Sequence, residues 1–193
     1  MKKYILGFIL LIVGLSANAG QNKNEIKLPH GYQKEYVNSI KKQAYFIDQE
    51  EVRGNPSVIF TFVSDTTKND MWFTTCQHSL DKGLPVFTCF TQQGQFGIDI
   101  TSSGYNVIFR FEKPKEILST QINYKIDNNK IMTLPVSAIT SGIAAETFIR
   151  QLKEASVLNF SWKEGSQYKA EKINLNGLAE SLFFAQKMIE VNN

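Results

Sequence analysis

From about Tyr32 onward, apolar residues come in short runs broken by turn chemistry, a β-type rhythm. Gly54-Asn55-Pro56 precedes the run 58–63, and two further runs surround Cys76 and Cys89. Gln92-Gln93-Gly94 and Ser102-Ser103-Gly104 bracket a run over 96–101, and Glu50-Glu51 falls in an expected turn. In 105–111, Tyr105, Val107, Phe109 and Phe111 share one face of a period-two strand. Asp127-Asn128-Asn129 separates 121–126 from 130–134, and Asp and Asn tolerate the left-handed backbone of a hairpin turn. Lys163-Glu164-Gly165-Ser166 divides 157–162 from 168–175 in the same way.

Two segments switch to helical period. In 142–155, Ala144, Ala145, Phe148, Ile149 and Leu152 form one stripe, with Glu146, Arg150 and Lys153 opposite. In 176–191, Leu178, Leu182, Ala185 and Ile189 follow helical spacing, and Asn176 suits the N-cap. Both stripes predict packing on a sheet. The pattern as a whole predicts a mainly β domain: an antiparallel β-sandwich of eight to ten strands with two amphipathic helices in the C-terminal half.

The N-terminus follows a different rule. Lys2 and Lys3 precede an unbroken apolar run over 4–15, and Ala17-Asn18-Ala19 supplies small residues before a cut. This is the layout of a secretory signal cleaved after Ala19, and the run is short for a membrane span. Residues 20–31 are polar and read as a flexible arm, leaving 32–193 as one domain. The 193 residues carry 21 Lys+Arg against 18 Asp+Glu, a formal charge of +3. Loss of Lys2 and Lys3 with the signal leaves the chain nearly neutral. That balance argues against nucleic acid, which needs a clustered basic face. The expected location is periplasmic or secreted, with no transmembrane span in the mature chain.

Export gives the cysteines a meaning. Cys76 and Cys89 stand in two β-type runs joined by a polar segment ending in Gly83-Leu84-Pro85. In an oxidising compartment such a pair predicts a structural disulfide. Closing a loop of this size stabilises by about 3 kcal/mol. A redox pair would need a closer spacing at a helix start, which is absent.

Little else in the chain is chemical. His30 stands in the arm and His78 in the cysteine loop, neither with another histidine within reach in sequence and with both cysteines assigned to the disulfide, so no metal site and no cofactor are expected. Ser39-x-x-Lys42 and Ser79-x-x-Lys82 match a Ser-x-x-Lys pattern without its companion elements, at a frequency composition alone produces. The acidic residues select no catalytic pair. Trp72 and Trp162 are each either a core anchor or, with His78, part of a binding face, since aromatics are enriched in both settings.

Trp72-x-x-x-Cys76, followed by Cys89-Phe90-Thr91-Gln92, resembles the first cysteine block of the invasion-associated locus B family of exported bacterial proteins. Downstream the order is also similar: Ile126-Asp127, Leu134-Pro135, a helix from Ala144, and Leu175-Asn176-Gly177-Leu178 before the last helix. This later order also resembles periplasmic accessory proteins of type VI secretion. The resemblance spans roughly 57–190. It departs near 138–143, where the family often carries a second cysteine pair and this chain has none. It implies a β-sandwich, no cofactor, no catalytic residue, and a role in host-cell entry or the envelope. The expectation is a non-enzymatic exported protein whose partner is a protein in the envelope or on a host surface. The alternatives are a secretion-system accessory, or an enzyme or enzyme inhibitor with an unrecognised site.

Overall fold

A computed structural model describes residues 26–65, 70–81, 83–111 and 121–193. The expected signal over 1–19, with its cut after Ala19, lies outside the described residues, as do residues 20–25 of the arm.

The fold is an antiparallel β-sandwich with two helices in its C-terminal half. Seven strands form an unbroken meander: β1 Glu35–Asn38, β2 Gln43–Val52, β3 Asn55–Asp65, β4 Asp70–Asp81, β5 Leu84–Gln93, β6 Phe96–Thr101 and β7 Gly104–Phe109. Each pairs with its sequence neighbour, as short turns require. A second sheet holds β8 Gln121–Ile126, β9 Met132–Pro135, β10 Val157–Glu164 and β11 Gln167–Asn174 in the order β11-β10-β8-β9. Helix α1 Gly142–Lys153 follows β9, and α2 Leu178–Asn192 ends the chain. The eleven strands among the described residues exceed the expected eight to ten, the excess coming from short edge pieces such as β1. Glu50 and Glu51 are in β2, opposite Ser57 and Pro56, not in a turn.

Period-two alternation sorts each strand into a core face and an outer face. Val58, Phe60 and Phe62 point inward from β3, Trp72 and Cys76 from β4, and Phe87 and Cys89 from β5. Helix α2 packs on this face, with Phe184 stacked on Phe60 at 4.3 Å between ring centres. The second sheet closes the β7 end, where Phe109 meets Phe160 at 5.2 Å and Phe111 stacks on Trp162 at 4.7 Å. Helix α1 packs on β7 and sets Phe148 between Phe96 and Tyr124. One continuous core results.

The disulfide between Cys76 and Cys89 is present. The two residues are direct cross-strand neighbours with Cα atoms 4.0 Å apart, on the face that α2 covers. Strands β4 and β5 run well past the bond, so His78 stands in β4 opposite Phe87 and not in a loop.

Two local expectations are corrected. Asn176 does not cap α2: Gly177 holds the cap position at φ +95, and the Asn176 amide donates to Asn174 Oδ1 at 3.0 Å. A side chain at residue 177 would meet Phe62 at 2.4 Å and Trp72 at 3.3 Å, so close approach as well as left-handed backbone requires glycine there. The described part of the arm, residues 26–31, is not loose. Ile26 and Pro29 are buried. Asn192 at the end of α2 accepts from the Lys27 amide at 2.8 Å and donates to its carbonyl at 2.9 Å.

Candidate functional site

The residues singled out by sequence do not assemble into one surface. Trp72 is fully buried against Phe96, and its indole N–H donates to the Asn174 carbonyl at 3.0 Å. Trp162 is 6% exposed and packs between Phe111 and Phe160. Both tryptophans are core anchors, which removes two of the three members of the candidate binding face. The physical reason is register: each lies on the inward parity of its strand. His78 is partly buried, and its ring meets Phe87 edge-on at 5.0 Å. Beside it, Ser79 Oγ lies 3.4 Å from Thr88 Oγ1. Among the described residues no group of three or more His, Cys, Asp or Glu is placed to hold a metal ion.

A cleft of about 620 Å³ opens where β4 and β5 face β11. Two of its carboxylates join the two sheets. Asn174 donates from Nδ2 to Asp70 Oδ2 at 2.7 Å, and Gln93 donates from Nε2 to the Met71 carbonyl at 3.1 Å. Glu171 reaches across to accept from the Gln95 amide at 3.0 Å. Its carboxylate lies so close to Gly94 that a Cβ there would clash at 1.8 Å. Asp70 and Glu171 thus act as ties between layers, whereas Gln93 links β5 to β4 within one sheet. His78 does not line this cleft.

The clearest unused surface is elsewhere, where the β1–β2 hairpin meets the start of α2. A groove of about 260 Å³ runs there, floored by Tyr45, Phe60 and Phe62 and walled by Tyr32, Tyr36 and Phe183. Its aromatic character follows from alternation. Tyr36 and Tyr45 are cross-strand neighbours that stack at 5.3 Å, and Tyr45 lies 5.4 Å from Phe60 in the next strand. Tyr32 touches Tyr45, Phe60 and Phe184. The rim stays open: Tyr36 is 47% and Phe183 53% exposed, with Asn38, Lys41, Gln43 and Glu180 around them. Burial, and then Tyr45, raise the Tyr32 phenol above its usual pKa, so it stays a neutral donor throughout the physiological range. The groove presents flat aromatic faces, phenol hydroxyls and two opposite charges without a nucleophile–base pair. Chemically it is suited to hold a partner.

None of these groove residues stood out in the sequence. The available signal is the clustering of Tyr32, Tyr36 and Tyr45 in a stretch with few other aromatics. Only the fold of the hairpin turns that cluster into a surface.

Compared with protein-family models, characterised proteins and solved structures, the chain matches none. Among the described residues no helix is long and apolar enough to cross a membrane. The disulfide is compatible with a periplasmic or secreted protein.

Proposed function

We propose that this is an exported, non-enzymatic bacterial protein that works by contact with a partner protein in the envelope or on a host surface, in the manner of the invasion-associated locus B proteins it resembles. The observation that carries this reading is the open aromatic groove between the β1–β2 hairpin and α2. Tyrosines with one end packed and the other wet are the typical anchors of protein contact surfaces. By contrast, in the larger cleft Asp70 Oδ2 and Glu171 Oε1 are engaged in holding the sheets together. The cross-strand disulfide, a feature of oxidising compartments, supports the exported part of the reading.

The test is direct binding of purified, disulfide-bonded protein to native envelope preparations and to intact host cells. Saturable binding that drops about tenfold or more in a Tyr36→Ala/Phe183→Ser double variant supports the groove as contact surface. Equal binding by the variant overturns it. Mass spectrometry of the exported chain should give an N-terminus at Gly20. Retention of the full leader on a cytoplasmic product overturns export.

A further inference from the structure

β1 is an outer strand of the seven-stranded sheet, and Glu35, Tyr36 and Val37 are all exposed. The Ile47 amide donates to the Lys34 carbonyl at 2.7 Å, which fixes the phase of the ladder. Pairs 34/47, 36/45 and 38/43 are therefore the ones that exchange hydrogen bonds. By alternation, the amide and carbonyl groups of Glu35 and Val37 point away from β2. Among the described residues no strand pairs with that side. Such an edge is a template for another strand unless proline, a bulge or a covering element blunts it. β1 contains no proline and pairs with β2 without a register shift.

The same strand turns Tyr36 and Asn38 toward the groove. A strand laid along β1 would place every second side chain over the groove mouth, between Tyr36 and Phe183. The free backbone edge and the aromatic groove are thus adjacent, and a polypeptide can use both at once. A glycan stacked on Tyr36 would leave the edge unused. Lys41 lines the groove at the turn end with Lys42 beside it, while Glu180 lines it from the start of α2. Charge complementarity therefore asks for an acidic residue at the Lys41 end and not along the α2 wall.

Resting on the groove as contact surface, we propose that its occupant is an extended segment of a partner protein that adds to β1 as a further strand. It presents apolar or aromatic residues at alternate positions to the groove, and an acidic residue to the Lys41-Lys42 end.

The test pans a phage-displayed library of random linear peptides against the disulfide-bonded exported protein, then measures synthetic versions of the selected peptides by calorimetry. The expected peptides carry apolar residues at every second position. Val37→Pro should weaken them by about tenfold or more, because it removes an outward amide while leaving the β2 pairing intact. Tyr36→Ala should weaken them too, and Ile143→Ala on α1 should not. In the unaltered protein, bound peptide should slow hydrogen exchange at the Glu35 and Val37 amides, a readout independent of how well the proline variant folds. Selected peptides without alternation, or unchanged exchange at those amides, overturn strand addition. If Tyr36→Ala abolishes binding while Val37→Pro leaves it intact, the groove holds something other than a strand; the inference fails and the contact-surface reading survives. If neither variant matters, both fail. Concentration-dependent dimerisation abolished by Val37→Pro, with no peptide selected, assigns the edge to a second copy and overturns the partner-segment proposal.

Discussion

Single residues in this protein act mainly through close approach and register. Gly177 admits no side chain because Phe62 and Trp72 lie against it and its φ is +95. Gly177→Ala should cost about 2 kcal/mol or more by urea unfolding, whereas Gly165→Ala, at φ +60 in open space, should cost about 1 kcal/mol. Asp127 holds φ +48 and accepts from the Ser156 and Val157 amides at 3.0 and 2.8 Å, tying the β8–β9 hairpin to the start of β10. Hence Ile126-Asp127 and Leu175-Asn176-Gly177-Leu178, two of the segments that carry the family resemblance, serve the fold. Their presence is explained without reference to any activity. Asp99 on β6 shows the electrostatic counterpart. Partial burial raises its pKa, opposed by hydrogen bonds from the Asn106 side chain and the Ile100 amide. In the window between its ordinary value near 3.8 and its raised folded value, the native state binds more protons than the unfolded chain. Stability from this group is therefore present at acid pH and lost as pH rises through the folded pKa. Asp99→Asn should flatten that part of the pH–stability profile and should not destabilise the protein at neutral pH, as measured by thermal unfolding from pH 3 to 7.

At the scale of elements, the period-two and period-3.6 patterns led to the correct strands and helices because each element buries one face. The errors fell at ends. Asn176 lost the cap to Gly177 because tertiary packing against Phe62 outweighs a side-chain cap worth about 1 kcal/mol. His78 left its expected loop because β4 and β5 keep pairing beyond the cysteines as far as Asp81 and Leu84. The disulfide therefore staples the middle of a long hairpin that α2 covers. A Cys76→Ser/Cys89→Ser double variant should lose about 3 kcal/mol in urea unfolding. Reduction of the unaltered protein should give a similar loss. The tryptophans differ in the same structural language. Trp72 satisfies its indole N–H on Asn174, whereas that of Trp162 is buried without a partner among the described residues. Trp72→Phe should accordingly cost more stability than Trp162→Phe, by about 1–2 kcal/mol.

For the whole molecule, the chain closes on itself: the arm at Ile26 is buried and Lys27 is clamped to Asn192 at the end of α2. Asn192→Ala should speed hydrogen exchange in the last turn of α2 while leaving β4 and β5 protected. Local alternation, turn chemistry and helical period are properties of neighbouring residues, so the sequence alone determined a mainly β domain, its late helices and its cysteine hairpin. It also left both roles open for Trp72 and Trp162, because an aromatic side chain suits a core and an interface equally well. Which face of a strand meets the other layer is decided only when the sheets and α2 pack. That packing sent both tryptophans inward and left Tyr36 and Phe183 at an open rim. The groove is built from Tyr32 and residues of β1, β2, β3 and α2, more than a hundred positions apart at the extremes, so no local pattern encodes it. Tertiary structure alone made those distant aromatic residues one surface.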